Sequence, residues 1–217
     1  MRNRLRSLFV HPRVDSKDAY SSSNPLVQWI FYERLRKIYA SIVENSCNKG
    51  KVLDAGCGCG IFLPTLSKTF QEVYALDLPD RMDFLEPTIS KILDESNCSN
   101  VVLVRGDIMK LSKFFPKDFF DCIVCTDVLE HLEVPMKALL QFDECLKPEG
   151  FFEFSVPTET KLYNLLRTLT RIPRPSHREY YNFRQLLSEV EKVFKTRKLQ
   201  TVPPIISLFI CGSACPK

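Results

Sequence analysis

The segment Lys51-Val52-Leu53-Asp54-Ala55-Gly56-Cys57-Gly58-Cys59-Gly60 constrains this chain more than any other, because an apolar strand runs directly into alternating glycines with an acid two residues before the first. Glycine takes positive φ without steric cost and carries no Cβ to hold a ligand away. Such a loop lets a nucleotide-like molecule lie against the backbone itself. The dinucleotide fingerprint G-x-G-x-x-G is not met, since Ile61 stands where the last glycine or alanine belongs. Asp54 would repel a pyrophosphate at the loop, whereas it would attract a ligand carrying an ammonium or sulfonium. A nicotinamide oxidoreductase is disfavoured on both counts.

Glycine loops also mark ordinary turns, so the residues that follow matter. Glu72-Val73-Tyr74-Ala75-Leu76-Asp77 reads as a second buried strand ending in an acid. A carboxylate there can accept both hydroxyls of a ribose, the device dinucleotide folds use; alternatively Asp77 is an exposed strand end opening a turn at Pro79. A third strand, Val101 to Val104, leads through Arg105-Gly106 into Asp107-Ile108. A fourth, Phe119 to Cys125, leads into Thr126-Asp127-Val128-Leu129-Glu130-His131-Leu132. Behind Pro135, which suits a first helical turn, Met136, Leu139, Leu140 and Leu146 recur at helical spacing. A turn at Leu146-Lys147-Pro148-Glu149-Gly150 then opens a fifth strand, Phe151 to Pro157.

An apolar pair, an acid, a small residue and Gly-x-Gly-x-Gly resembles motif I of the class I S-adenosylmethionine-dependent methyltransferases, here closest to the type 11 or ubiquinone-biosynthesis-like group. Leu146 to Gly150 resembles that family's Leu-Lys-Pro-Gly-Gly turn, with Glu149 in place of the first glycine. The likeness covers roughly residues 50 to 157. It implies an α/β, Rossmann-like, doubly wound seven-stranded sheet, mostly parallel with one antiparallel strand in a C-terminal hairpin, and helices on both faces. It also implies S-adenosylmethionine as cofactor and S-adenosylhomocysteine as product. By the same resemblance the cofactor would be held by Asp54, Gly56, Gly58 and Gly60, by Asp77 with Leu78 and Met82, and by Thr126. Asp107 would face the adenine amino group and the Ile108 amide a ring nitrogen.

Composition agrees. A chain of 217 residues with 45% hydrophobic and 26% charged residues is an ordinary globular domain, not a disordered or fibrous one. The expected organisation is one methyltransferase domain over 1–217, with an N-terminal arm and helical cap (1–47), a cofactor-binding core (48–157), a substrate-side insertion (158–181) and a helix with C-terminal hairpin (182–217). A net charge of +4 demands no nucleic acid. No apolar run approaches the roughly 18 residues a spanning helix needs, and Leu8-Phe9-Val10 among Arg2, Arg4, Arg6 and Arg13 is too short for a secretory signal. Nine cysteines without framework spacing suit a reducing compartment, so a cytoplasmic location is expected. The pairs Cys57/Cys59, Cys122/Cys125 and Cys211/Cys215 read as small core residues rather than metal ligands. Cys122 and Cys125 would point to opposite faces of their strand, and the last pair lies at a ragged end.

Methyl transfer is an in-line displacement whose driving force is stored in the cofactor, leaving the protein to align reactants, exclude water and manage one proton. His131 is the candidate general base, or else a helix-start residue bonded to backbone. No metal is expected. Asp127, Glu130 and His131 nevertheless resemble the Glu-x-x-Glu-His cluster of metal-dependent O-methyltransferases, where one helical turn would put all three on one face, with His177 as a fourth ligand.

Before the glycine loop, Pro25 to Tyr39 reads as a helix after the cap region Ser21-Ser22-Ser23-Asn24. Its aromatics either pack on the sheet or cover the cofactor, which makes Tyr20 and Trp29 substrate-side candidates. Between Thr158 and Tyr181, Leu162, Leu165, Leu166 and Leu169 mark a helical face, and Arg171, Arg174 and Arg178 with His177 are candidates to bind an anionic group on the acceptor. A solvated face explains the same charges. A helix from Asn182 to Val193 and strands at Phe194 to Gln200 and Ile205 to Ile210, joined through Pro203-Pro204, complete the chain. The expected partner is a small-molecule acceptor. An RNA methyltransferase with a basic track and a cofactor-binding module without catalysis are the alternatives, and oligomeric state stays open.

Overall fold

The glycine loop's strand sits at the centre of one seven-stranded sheet. The computed structural model describes residues 24–45, 49–158, 180–204 and 207–217. Helix α1 (Pro25–Asn45) precedes strand β1 (Lys51–Ala55), the short helix α2 (Leu63–Ser67), β2 (Glu72–Asp77), α3 (Pro79–Glu95) and β3 (Val101–Arg105). There follow a 3-10 segment (Ile108–Lys113), β4 (Phe120–Thr126), a 3-10 turn (Leu129–His131), α4 (Pro135–Cys145), β5 (Leu146–Pro157), α5 (Phe183–Val193), β6 (Phe194–Val202) and β7 (Phe209–Pro216). The expected residues Tyr20, Arg171, Arg174, His177 and Arg178 lie outside the described residues, as do the N-terminal arginines, the cap serines and most of the insertion.

The strand order is β3-β2-β1-β4-β5-β7-β6. The first five strands pair in parallel, and β7 runs antiparallel to both neighbours, so it is the one reversed strand. After β3 the chain returns to the far side of β1, where β4 pairs Val52 with Cys122 and Asp54 with Val124. That reversal opens a crevice beyond the carboxyl ends of β1 and β4, the place where open α/β sheets bind ligands.

The central strands β1, β4 and β5 are largely buried because both faces are covered, while the edge strands β3 and β6 are partly exposed. Val52, Val73, Ala75, Cys122 and Val124 face a core closed by α1, α2 and α3, while Leu53, Leu76, Ile123, Cys125, Phe152 and Phe154 face a second core with α4 and α5. Cys122 and Cys125 do lie on opposite faces, and the described cysteines are all free thiols. Burying each large side chain contributes roughly 1.5–3 kcal/mol. Local signals start the helices. The Asn24 side chain accepts the Leu26 amide at 3.0 Å, and Asn182 with Gln185 forms a reciprocal capping box on α5.

Four expectations change. Leu146 leaves the helical pattern, because α4 ends at Cys145 and Leu146 pairs with Phe120 as the first residue of β5. β5 therefore begins at Leu146 rather than Phe151, and the expected turn survives inside it: the step from Leu146 to Phe151 faces only the step from Phe120 to Cys122, and a Cβ on Gly150 would come within 2.9 Å of the Lys147 carbonyl oxygen. Pro79 opens a helix of 17 residues rather than a turn, as proline at a first helical position allows. The final strand is Phe209–Pro216, so Cys211 and Cys215 sit inside the sheet rather than at a ragged end.

Glu153 is a fully buried acid in the middle of β5. Ser41 Oγ of α1 donates to its Oε1 at 2.8 Å and Asn45 Nδ2 at 3.2 Å, while Asn45 also donates to Ser213 Oγ of β7 at 2.8 Å. Burial pushes the carboxyl up to about 8, against the opposing effect of these hydrogen bonds and of Lys198. The folded protein therefore keeps a proton that the unfolded chain releases near 4.5. The stability so gained is complete below that lower value and is lost as pH rises toward about 8, by up to a few kcal/mol. Glu153→Gln should flatten that decline in urea denaturation across about pH 5 to 8, and an unchanged slope would refute the assignment.

Candidate functional site

Three acids predicted from separate strand ends converge on one cavity. It measures about 570 Å³, within the range of small-ligand sites. Asp54, Gly56, Gly58, Asp77, Leu78, Asp107, Ile108, Thr126 and His131 all line it. The glycine loop is held by β2, with the Gly56 and Cys57 amides donating to the Leu76 carbonyl at 2.7 and 3.1 Å. Asp77 ties the loop from the other side: its Oδ2 accepts the Gly58 amide at 2.9 Å and its Oδ1 the Leu78 amide at 2.9 Å. Arg81 Nε lies 3.1 Å from the same Oδ1. Asp107 caps the 3-10 segment, accepting the Met109 amide at 2.9 Å. Asp77 is buried, which excludes its reading as an exposed turn residue.

Asp54 is also buried, and its carboxyl is pushed up to about 7, first by burial and then by the neighbouring Asp77. Burial likewise pushes the Cys57 thiol well up, which makes it a packing group rather than a nucleophile.

Two predicted cofactor residues lie elsewhere. Met82 is fully buried in the core on the α3 side, and Gly60 faces Leu63 and Ile89, where a Cβ would come within 2.9 and 3.2 Å. The glycines divide accordingly. Gly60 (φ +77) is needed for packing, whereas Gly58 (φ +51) has nothing within 4 Å of an added Cβ, only the open cavity. Trp29 is 45% exposed and outside the wall; Phe31, Arg34 and Leu35 of the same helix line it instead. Their spacing of i, i+3 and i+4 is the signal that sequence reading passed over, together with a charge at a position of an otherwise apolar stripe. Arg81, Leu85 and Tyr180 also join the wall unforeseen.

The metal alternative loses its geometry. Asp127 lies before the 3-10 turn with φ +56, and Glu130 is buried outside the cavity wall, so Asp127, Glu130 and His131 do not share one helical face. Among the described residues no three metal-binding side chains cluster. Asp127 is committed to other partners. Its Oδ1 accepts Ser155 Oγ at 3.0 Å, its amide donates to the Ser155 carbonyl at 3.0 Å, and its Oδ2 pairs with the Arg34 guanidinium.

The two glycines facing the loop give contrasting expectations. A side chain at either pays the strain of positive φ, roughly 1–3 kcal/mol; at Gly56 (φ +81) it also meets Val128 Cγ2 at 2.5 Å. Gly56→Ala should therefore lower unfolding free energy more than Gly58→Val, although valine is larger. The reverse order in chemical denaturation would contradict this packing.

A model of a family described as a methyltransferase domain matches residues 28–193. The mitochondrial ubiquinone biosynthesis O-methyltransferase of Schizosaccharomyces pombe is 30% identical over 131 residues, covering 57% of this chain and 44% of that protein. The chain spans about half the length of the curated relatives it matches. Among solved structures, a SAM-dependent methyltransferase of Aquifex aeolicus superposes with a TM-score of 0.63 at 19% identity, covering 83% of this chain and 89% of that one. A 1,6-didemethyltoxoflavin-N1-methyltransferase of Burkholderia thailandensis superposes with a TM-score of 0.65 at 18% identity, covering 89% and 86%. These structural likenesses establish the Rossmann-like methyltransferase fold. The family match extends from within α1 to the end of α5, taking in every strand end that builds the cavity, and this chain belongs to the methyltransferase domain family.

Proposed function

We propose that this protein transfers the methyl group of S-adenosylmethionine to a hydroxyl oxygen of a small-molecule acceptor. The observation that carries the proposal is the convergence of Asp54, Asp77 and Asp107 with the Gly56 and Gly58 backbone on one cavity. The missing Cβ of Gly58 leaves open space there, as a cradle for a cofactor requires. Asp77 is placed to accept ribose hydroxyls, with Arg81 giving way. Asp107 and the Ile108 amide would hold the adenine, and Asp54 would favour an ammonium or sulfonium. When bound, the cofactor supplies an activated methyl on a good leaving group.

The chain's own residues do the rest. Phe31, Leu35, Leu132 and Val128 give the cavity an apolar wall, and Tyr180 joins it from the surface, its hydroxyl donating to Glu133 Oε1 at 3.0 Å and its amide to the Glu130 carbonyl at 2.8 Å. His131 follows β4 in the same wall and accepts the proton of the attacking hydroxyl. Oxygen is favoured as the acceptor atom because the relatives from Schizosaccharomyces pombe and Pasteurella multocida are named O-methyltransferases. The acceptor candidates Arg171, Arg174 and Arg178 remain part of the proposal, as an anion-binding group beyond the described residues.

Calorimetry with S-adenosylhomocysteine and S-adenosylmethionine tests the cofactor assignment. Gly58→Val, which fills the cradle, should abolish binding. Because the Asp54 carboxyl is pushed up to about 7, a cationic ligand must drive off its proton at lower pH. Affinity should accordingly rise from about pH 6 to 8 and level off above, and Asp54→Asn should remove the slope. A pH-independent parent would sink the role of Asp54. His131→Ala should lower turnover by about 10²-fold or more, the usual scale of general-base loss, with cofactor affinity nearly unchanged; equal turnover removes His131 from the mechanism.

A further inference from the structure

Arg34 is 2% exposed, yet it sits in the cavity wall at the end of a path from α1 to the carboxyl end of β4. Its guanidinium lies 5.3 Å from the Phe31 ring centre and 5.1 Å from that of Phe209, and it pairs with Asp127. Asp127 occupies the left-handed region at φ +56, which aspartate and asparagine enter more readily than other residues with a side chain but hold in one fixed turn only when their surroundings insist. Three contacts insist here: the amide to the Ser155 carbonyl, Ser155 Oγ to Oδ1, and Arg34 to Oδ2. The turn so held sends Val128 against Gly56, close enough that even one added carbon there would meet it at 2.5 Å. Three residues on, the His131 amide donates to the Val128 carbonyl at 3.0 Å, so the histidine hangs from the same turn.

We propose that Arg34 is a positioning residue: by clamping Asp127 in its left-handed conformation it sets Val128 against the glycine loop and His131 in the cavity wall. The proposal deepens the methyltransferase reading and rests on it. Arg34 lies on a helix that makes none of the cofactor contacts assigned above, and it acts on the site through Asp127. The Phe31 and Phe209 rings, themselves edge to face at 5.3 Å, both lie against the planar guanidinium and hold it in register, so a lysine would keep the charge and lose the fork. Removing Arg34 alone leaves a carboxylate partly buried without its cation, which can cost the fold itself. The informative variants therefore remove both charges.

The experiment compares the parent with Arg34→Met/Asp127→Ala and Arg34→Met/Asp127→Gly, reading S-adenosylhomocysteine affinity by calorimetry and the His131 imidazole resonances by NMR, assigned through His131→Gln. With the clamp gone, the alanine variant should bind about tenfold more weakly and show displaced His131 signals. Glycine enters the left-handed region unaided, so the second variant should regain affinity to within about threefold and return the His131 signals toward the parent's. Parent-like affinity and resonances in the alanine variant, or no recovery with glycine, would overturn the proposal. A parent that fails to bind S-adenosylhomocysteine at all would instead overturn the methyltransferase reading on which it rests.

Discussion

Two buried carboxylates, Asp54 at the end of β1 and Asp77 at the end of β2, face one cavity, where burial first and the neighbouring Asp77 second push the Asp54 carboxyl up. Asp77 accepts two backbone amides and pairs with Arg81. Asp54 has the weaker position, and its proton is retained to about neutrality. A pocket of this kind resists an anion and welcomes a cation, which separates it from dinucleotide sites built on the same sheet. Parallel strands β1 and β2 hold both acids at neighbouring levels, Asp54 opposite Ala75 and Ala55 opposite Leu76, so the pairing register itself sets their approach.

How far the site was legible in the sequence follows from how each residue reaches it. Asp54, Asp77 and Asp107 each end an apolar run, and the carboxyl ends of parallel strands share one edge of a sheet; residues placed by the sheet could therefore be named beforehand. Met82 failed because it lies on a helix, where one residue turns the side chain about 100°: Arg81 faces the cavity while Met82 packs in the core. Trp29 failed for the same reason, two positions from Phe31. Gly60 belongs to the right loop but serves its packing, a distinction carried by Leu63 and Ile89 rather than by the glycine pattern. The Asp127, Glu130 and His131 spacing suggested a shared face only if the turn were α-helical, and Asp127's positive φ breaks that condition.

The polar groups beneath α1 were not visible at all. Arg34 and Ser41 stand among Val27, Ile30, Ile38 and Ile42 on the buried side of one helix, and their partners Asp127, in the turn after β4, and Glu153, in β5, lie more than ninety positions along the chain. Buried polar pairs tend to select one arrangement of packed elements over others rather than add raw stability. Here Arg34 addresses the functional end of β4 and Ser41 the middle of β5, so two separated contacts orient α1 along the sheet.

The sheet's order has a consequence for how the chain matures. The strand that comes last, β7, is seated between β5 and β6, which precede it. During synthesis from the amino end, β1 to β5 can assemble while β6 still has no neighbour to dock against. Until β7 arrives, the open border of β5 offers its backbone to any passing chain, beside a face carrying Phe152 and Phe154 that later meets Phe194. A chain cut just short of Phe209 would leave that border of β5 bare and β6 without a neighbour.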